Sequence, residues 1–286
     1  MTWKRVSRES PCSICKKPDW CLLAEDGNAV ICARVQSDRP MRTGVGWLHP
    51  VGNEPPSKWR TVQRSKPKRS SVELLAIAKQ CCNDLSKDKL SWLAFQLGVS
   101  PESLQSLRVG WSVGKHAYSF PMRDEAGRVC GIRYRCELNG SKFSEAGGRE
   151  GMFFRPEMLA DFLVIAEGAS DAAAVMTVGF QSVIGRANNV GNVSQLLSIL
   201  RGHRFNRVVV VPDSDEPGQR GAAALAESMV AAELPKPEIL QLPDGFKDCR
   251  AMVQRKKNAR GLQSLLARLT NYHPKQLVMH EANEHD

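Results

Sequence analysis

The sequence predicts a multi-domain α/β protein, α+β in its overall organisation, and three observations predict it. Apolar strand-like runs alternate with helical segments from residue 162 onward, four cysteines fall between Cys12 and Cys32, and a Pro-, Ser-, Lys- and Arg-rich stretch follows them. Alternating strand–helix units with continuously apolar strands imply a mostly parallel sheet covered on both faces. The chain divides into a metal-stapled module over 1–53, a flexible basic linker over 54–71 and a basic mixed α+β subdomain over 72–160. An α/β domain with C-terminal helices over 161–270 and a loose tail over 271–286 complete it.

The elements follow in order. The first 50 residues are rich in cysteine and tryptophan and show little helical periodicity. From Ser71 the pattern turns helical: Val72, Leu75, Ala76 and Lys79 share one face, and Leu90, Leu93, Ala94 and Leu97 share another, stopped by Gly98. Ser100-Pro101-Glu102 opens a short helix with serine at the N-cap and proline at the first helical position. Strands follow at Tyr118–Met122 and Val129–Tyr134, around a polar turn at Asp124–Gly127. Next come a strand at Phe162–Ala166, a helix over 171–178 ending at Gly179, a strand at Ser182–Ile184 and a helix over 193–200. The series ends with the strand Val208–Val211, a helix over 221–232, a strand over 239–242 and helices over 249–254 and 262–269.

Composition narrows the class. The chain has 286 residues, 42% of them hydrophobic, and a formal charge of +10. No apolar run approaches the roughly 18 residues of a membrane span, and no apolar segment follows the basic N-terminus as a signal peptide requires. The expected location is the reducing cytoplasm, where nine cysteines do not form a disulfide framework. The positive balance points to an anionic partner, nucleic acid first. Within this basic chain, residues 161–250 carry −3, whereas residues 54–71 carry +5.

Cys12 and Cys15 are spaced as a zinc knuckle, whose short loop aims two thiolates at one point. Asp26-Gly27 is a two-residue hairpin signal, and folding about it pairs Leu23 with Val30 and Cys21 with Cys32. Facing residues on antiparallel strands lie roughly 4.5–5.5 Å apart, so Cys21 and Cys32 can complete a tetrahedral Zn²⁺ site, with His49 as an alternative ligand. Four protein ligands close the site and make it structural. Cys81, Cys82, Cys130, Cys136 and Cys249 lack ligand spacing and read as packing residues.

Glu167 ends one apolar strand, and Asp213 and Asp215 follow another. Residues two apart on extended chain point the same way, and ligands collect at the carboxyl ends of parallel strands. Three converging carboxylates repel unless a cation holds them, and hard oxygen ligands suit Mg²⁺ or Mn²⁺ with a phosphate-bearing substrate. Asp171 is a further candidate ligand. Acids at helix starts also favour the helix dipole, which is the competing reading for Asp171 and Glu216.

Ile165-Ala166-Glu167-Gly168-Ala169-Ser170-Asp171, together with Val211-Pro212-Asp213-Ser214-Asp215-Glu216-Pro217-Gly218, resembles a Toprim domain. That is the metal-binding catalytic module of bacterial and phage primases, topoisomerases and some nucleases. Leu242–Asp248 is similar to the segment that carries a further acid in such primases, which implies Asp248 as a further magnesium ligand. Phe120-Pro121-Met122, Gly131–Arg135, Gly140–Phe143 and Met152–Phe154 resemble the basic subdomain that precedes Toprim in bacterial-type primases. The cysteine module, similar to the zinc ribbon of phage- or mobile-element-type members, completes their domain order.

The resemblance implies a DNA primase that makes short RNA primers on single-stranded DNA by metal-dependent nucleotidyl transfer. Glu167, Asp213 and Asp215 would be the catalytic and magnesium-binding residues. Arg133, Arg135, Lys142 and Arg186 would bind nucleotide or template, and Trp20 or Trp47 could stack a base. Partners would be template, nucleoside triphosphates and a separate replicative helicase, since no G-x-x-x-x-G-K-[ST] phosphate loop is present. Two other readings remain open, a non-catalytic zinc/Toprim DNA-binding scaffold and a Toprim nuclease.

Overall fold

The computed structural model describes residues 2–41, 46–51, 68–188 and 191–274, with backbone alone at 256–257. The chain separates into two compact units, one up to Arg64 and one from Ser65.

The first unit is a four-stranded antiparallel sheet in the order β1 (Trp3–Arg5), β2 (Leu22–Ala24), β3 (Ala29–Cys32), β4 (Trp47–Pro50). The β2–β3 hairpin turns at Asp26-Gly27. Gly27 takes φ +72°, a left-handed conformation that costs glycine nothing, and Asp26 Oδ1 accepts the Asn28 N–H at 3.1 Å. The expected register results, Leu23 opposite Val30. The buried core of this unit is Val6, Val30 and the sulfur-bearing Cys12, Cys21 and Cys32. So few apolar side chains cannot offset the ordering entropy of about 50 residues, which is the situation in which small modules need a metal.

The second unit is built on one mixed sheet of nine strands. Its leading helices are α1 (Ser71–Asn83), α2 (Lys87–Leu97) and α3 (Pro101–Ser106). The antiparallel half contains β5 (Gly110–Ser112), β6 (Ala117–Arg123), β7 (Val129–Cys136), β8 (Lys142–Ser144) and β9 (Met152–Phe153). The parallel half contains β10 (Phe162–Glu167), β11 (Val183–Arg186), β12 (Arg207–Val211) and β13 (Glu238–Ile239). It is wrapped by α4 (Ala169–Thr177), α5 (Val193–Gly202), α6 (Glu216–Ala231), α7 (Cys249–Gln254) and α8 (Lys256–Thr270). The order is β13-β12-β10-β11-β9-β6-β7-β8, with β5 on β6. Residues 72–160 and 161–270, separated in the sequence reading, are thus two halves of one sheet. The two-residue strand β9 joins them, antiparallel to both β11 and β6.

The parallel half shows why its strands read as unbroken apolar runs. Val164, Ala166, Val209 and Val211 pack into a core with α4, α7 and α8, while Leu163, Ile165, Val208 and Val210 pack with α5 and α6. Both faces are covered, so no polar alternation is needed. Among the described residues, no helix is long and apolar enough to cross a membrane.

Several boundaries differ from the sequence reading. Helix α6 starts at Glu216, not near 221, because Asp215 caps it and Pro217 fits its first turn. Helix α8 starts at Lys256, and β13 keeps only Glu238–Ile239 of the strand expected over 239–242. Of the tail expected to be loose, Tyr272 stacks on Phe162 with ring centroids 4.6 Å apart; residues 275–286 lie outside the described residues. Of the expected linker, 54–67 lie outside them too, whereas 69–71 belong to the second unit. The Arg69 N–H donates to the Gly147 carbonyl at 3.0 Å, and Ser70 and Glu73 form a capping box at the start of α1. A Ser70→Ala variant should lose roughly 0.5–2 kcal/mol of stability in urea denaturation; an unchanged midpoint would place Ser70 outside the cooperative fold.

Candidate active site and zinc centre

Cys12, Cys15, Cys21 and Cys32 come together with sulfurs all within 4.8 Å of one another. All nine cysteines are free thiols, and the Cys15–Cys21 and Cys21–Cys32 sulfur pairs lie 3.6 and 3.9 Å apart. The knuckle closes through the Lys16 N–H to the Cys12 carbonyl, and backbone N–H groups of Cys15, Ala33 and Val35 point at the sulfurs of Cys12, Cys21 and Cys32. Arg34 adds a cation: one guanidinium nitrogen lies 3.9 Å from both Cys15 and Cys21 sulfurs, and Asp19 pins the group at 2.8 Å. Burial, with neighbouring sulfurs, pushes the Cys21 thiol up to about 12, while donors around Cys15 overcome its burial and bring it down to about 6. Four soft donors at tetrahedral spacing, with N–H groups to share their negative charge, fit Zn²⁺.

His49 is not part of this group. It stands opposite Val30, two residues and about 7 Å along the strand from the Cys32 position, and its Nε2 lies 3.0 Å from the Val35 carbonyl oxygen. The two candidate stacking residues also part: Trp47 is half-buried, while Trp20 is 71% exposed on a left-handed backbone at φ +65°.

The acidic residues gather where the sheet predicts, with a different inner group. Asp171, Asp213 and Asp248 have carboxylate oxygens within 4.8 Å of one another. Glu167 lies beside them, its Oε1 accepting the Asp213 N–H at 3.3 Å. Asp215 caps α6, with Oδ1 accepting the Gly218 N–H at 3.0 Å, and its charge lies close enough to raise Glu167 and Asp213. The expectation that Asp213 and Asp215 face together presumed extended chain, but β12 ends at Val211 and both aspartates sit in the turn beyond it. Asp171 arrives from the first turn of α4 and Asp248 from the N-cap of α7. Gly218 makes room for this turn: a Cβ there would lie 2.5 Å from the Asp213 carbonyl oxygen and 3.0 Å from Glu167 Oε1.

Burial raises the carboxyls of Asp171, Asp213 and the adjoining Glu167. Asp171 is pushed up to about 7 by burial and then Asp248, and Asp213 to about 6 by burial and then Glu167. Glu167 is raised by burial as well. Crowded buried carboxylates of this kind are stabilised by a bound hard cation. The three hard-oxygen ligands, with Glu167 adjoining, fit Mg²⁺ or Mn²⁺.

The predicted basic residues fall into two places. Arg133, Arg135 and Lys142 line one pocket with Phe120, Gly168 and Ser170, so β7 and β8 face the start of α4. Arg133 pairs with Glu150 at 2.9 Å. Desolvation and then Arg135 lower the Lys142 ammonium, with Asp171 opposing them. Arg186 instead ends β11 beside the acids, in register with Glu167; burial lowers its guanidinium and Glu167 opposes the shift. The sequence reading missed Arg250, whose N–H donates to Asp171 Oδ1 at 3.1 Å and whose side chain reaches within 3.6 Å of Asp248. Its position two residues after Asp248, at the start of a helix, was the available signal.

Residues 164–253 match the family described as Toprim-like, and no curated protein matches the chain by sequence. Solved structures resemble it at low identity. The Escherichia coli primase catalytic core aligns over 71% of this chain and 83% of its own, at 16% identity and TM-score 0.54. A DnaG primase catalytic domain bound to single-stranded DNA aligns over 70% of this chain and 78% of its own, at 16% identity and TM-score 0.55. The Aquifex aeolicus primase, solved with its zinc-binding and RNA polymerase domains, aligns over 70% of this chain and 62% of its own, at 15% identity and TM-score 0.52. Residues 164–253 therefore match the Toprim-like family, the chain shares its fold with solved bacterial primase catalytic cores, and a four-cysteine module precedes the matched residues.

Proposed function

We propose that this chain is a DNA primase that joins ribonucleotides on a single-stranded DNA template. One observation carries the reading: the carboxylate group at the ends of the parallel strands and the Arg133–Arg135–Lys142 pocket adjoin across the start of α4, within one sheet. That adjacency of an anion-attracting and a cation-attracting surface supports nucleotidyl transfer.

In the reaction the 3′-oxygen of one nucleotide attacks the α-phosphorus of the next, the bond to the β-phosphate oxygen breaks, and pyrophosphate leaves. Asp171, Asp213 and Asp248 would hold divalent cations, with Glu167 completing or orienting the group. When bound, Mg²⁺ or Mn²⁺ lowers the cost of forming the 3′-oxyanion and stabilises charge on the leaving pyrophosphate. Lys142 and Arg135 attract the triphosphate, and the pocket's apolar members Phe120 and Leu97 exclude water beside it. Asp215, which caps α6, holds the turn that aims Asp213. The cysteine module presents Trp20 to a template base, with Zn²⁺ holding its loops.

Incubation with single-stranded template, Mn²⁺ or Mg²⁺ and labelled ribonucleotides should give short oligonucleotides. Asp213→Ala and Asp171→Asn should lower synthesis at least 100-fold while DNA binding stays within about threefold. Intact DNA binding without product would identify a scaffold, and degraded template or RNA a nuclease.

The raised carboxyls set a pH dependence. Cation binding needs them ionised, so Mn²⁺ affinity measured by electron paramagnetic resonance should fall as pH drops from 7.5 through the region of 7 to 6 where Asp171 and Asp213 gain protons. A flat profile would place the cation elsewhere.

Protein purified without chelator should contain one zinc per chain by elemental analysis. Arg34→Ala should speed its release to a chromogenic chelator several-fold, because the thiolates lose a neighbouring cation. Zinc-free protein retaining the fold of the first unit would overturn the structural role.

A further inference from the structure

A second aromatic surface lies outside the carboxylate group and the cysteine module. Helix α2 buries Leu90, Leu93, Ala94 and Leu97, while Trp92 and Phe95 project from its outer face. They are 49% and 77% exposed and stack on each other, with ring centroids 6.0 Å apart and planes 26° from parallel. Single exposed apolar residues are ordinary, but two large aromatic rings stacked together in solvent are a surface without a partner.

The position of the pair indicates its ligand. Leu97, on the same helix, lines the pocket that holds Arg133, Arg135 and Lys142. Next to Phe95, the Gln96 carbonyl accepts the Gln254 side-chain N–H at 3.3 Å, at the end of α7. Arg255 follows, exposed, with its guanidinium 5.2 Å from the Phe246 ring centroid. The Phe246 carbonyl accepts the Ser214 hydroxyl at 2.7 Å, in the turn carrying Asp213. Adjacent contacts thus run from the carboxylates past Arg255 to the aromatic pair.

We propose that Trp92 and Phe95 form a base-stacking platform for single-stranded nucleic acid, holding the strand beside the catalytic cleft. Exposed rings offer π faces that any unpaired base can cover, and the exposed Arg255 supplies a cation for its phosphates. A duplex is a poor occupant, because its base faces are already covered by neighbouring bases. A protein partner would suit the apolar area, but the exposed Arg255 at the adjoining end of α7 and the contacts leading on to the turn of Asp213 favour the nucleic acid. The platform goes beyond the proposed polymerising site, and binding measured without metal or nucleotide tests it whether or not the chain synthesises primers.

The probe is a fluorescein-labelled 20-mer of deoxythymidine, read by anisotropy. The Trp92→Ala/Phe95→Ala double variant should bind about tenfold or more weakly, as loss of base stacking entails. The slope of affinity against salt should stay unchanged, because no charge is removed. Trp92→Leu/Phe95→Leu should be as weak as the alanine pair, and Trp92→Phe/Phe95→Tyr should recover most of the affinity. On an oligonucleotide carrying abasic sites, wild type should lose more affinity than the alanine pair. Urea midpoints report that each variant is folded. Affinity of the folded alanine pair within twofold of wild type, or full affinity in the leucine pair, overturns the proposal; the latter would mark an apolar protein-docking face. Equal sensitivity of wild type and alanine pair to abasic sites overturns it as well.

Discussion

The second unit depends on the pairing of Met152 and Phe153. This short strand bonds to β11 on one side and to β6 on the other. Without it the antiparallel half, which carries the cations, and the parallel half, which carries the carboxylates, would be separate sheets. With it, the ends of β7 and β10 stand at a spacing set by strand geometry, about 4.8 Å for each strand crossed. Both residues are buried, one in each of the two cores that sandwich the sheet, so hydrophobic packing holds the joint that two residues of ladder bonding alone would leave weak.

Electrostatics divides along that joint. Buried carboxylates at the parallel end oppose one another and are raised towards neutrality by burial, while Lys142 and Arg135 across the cleft are lowered by the same desolvation. Each group is costly by itself. A triphosphate with its divalent cations, the ligand proposed above, would offer both signs of charge at once and so relieve both groups. The cysteine module follows the same logic on a smaller scale, with sulfurs and backbone donors arranged around a cation position and little apolar core besides.

Much of this was legible in the sequence. The Asp26-Gly27 turn determined the pairing that sets Cys21 against Cys32, because hairpin register follows from turn length. The apolar runs of β10 and β12 disclosed a sheet covered on both faces. What escaped were the features that depend on where a strand stops. The capping of α6 by Asp215 was hidden because alternation was carried past Val211, where the chain leaves the sheet. Asp171 ranked lower because helix N-termini commonly carry acids for local reasons, and only the packing of α4 against α7 makes Asp248 its neighbour. The continuity of the sheet through β9 was hidden too, since a two-residue strand has no period to read.

Gly218 carries a consequence for how this site can vary. The position lies in the first turn of a helix, where alanine would ordinarily be the more stabilising residue by about 1 kcal/mol. A Cβ there would drive into the Asp213 carbonyl and crowd Glu167, so local helix preference and site geometry pull in opposite directions. Substitutions elsewhere on the exposed face of α6 can drift under solubility alone, but drift at residue 218 would displace the turn that brings Asp213 to Asp171. Among sequences that share this chemistry, the glycine five residues after the first aspartate should therefore be as resistant to replacement as the acids themselves.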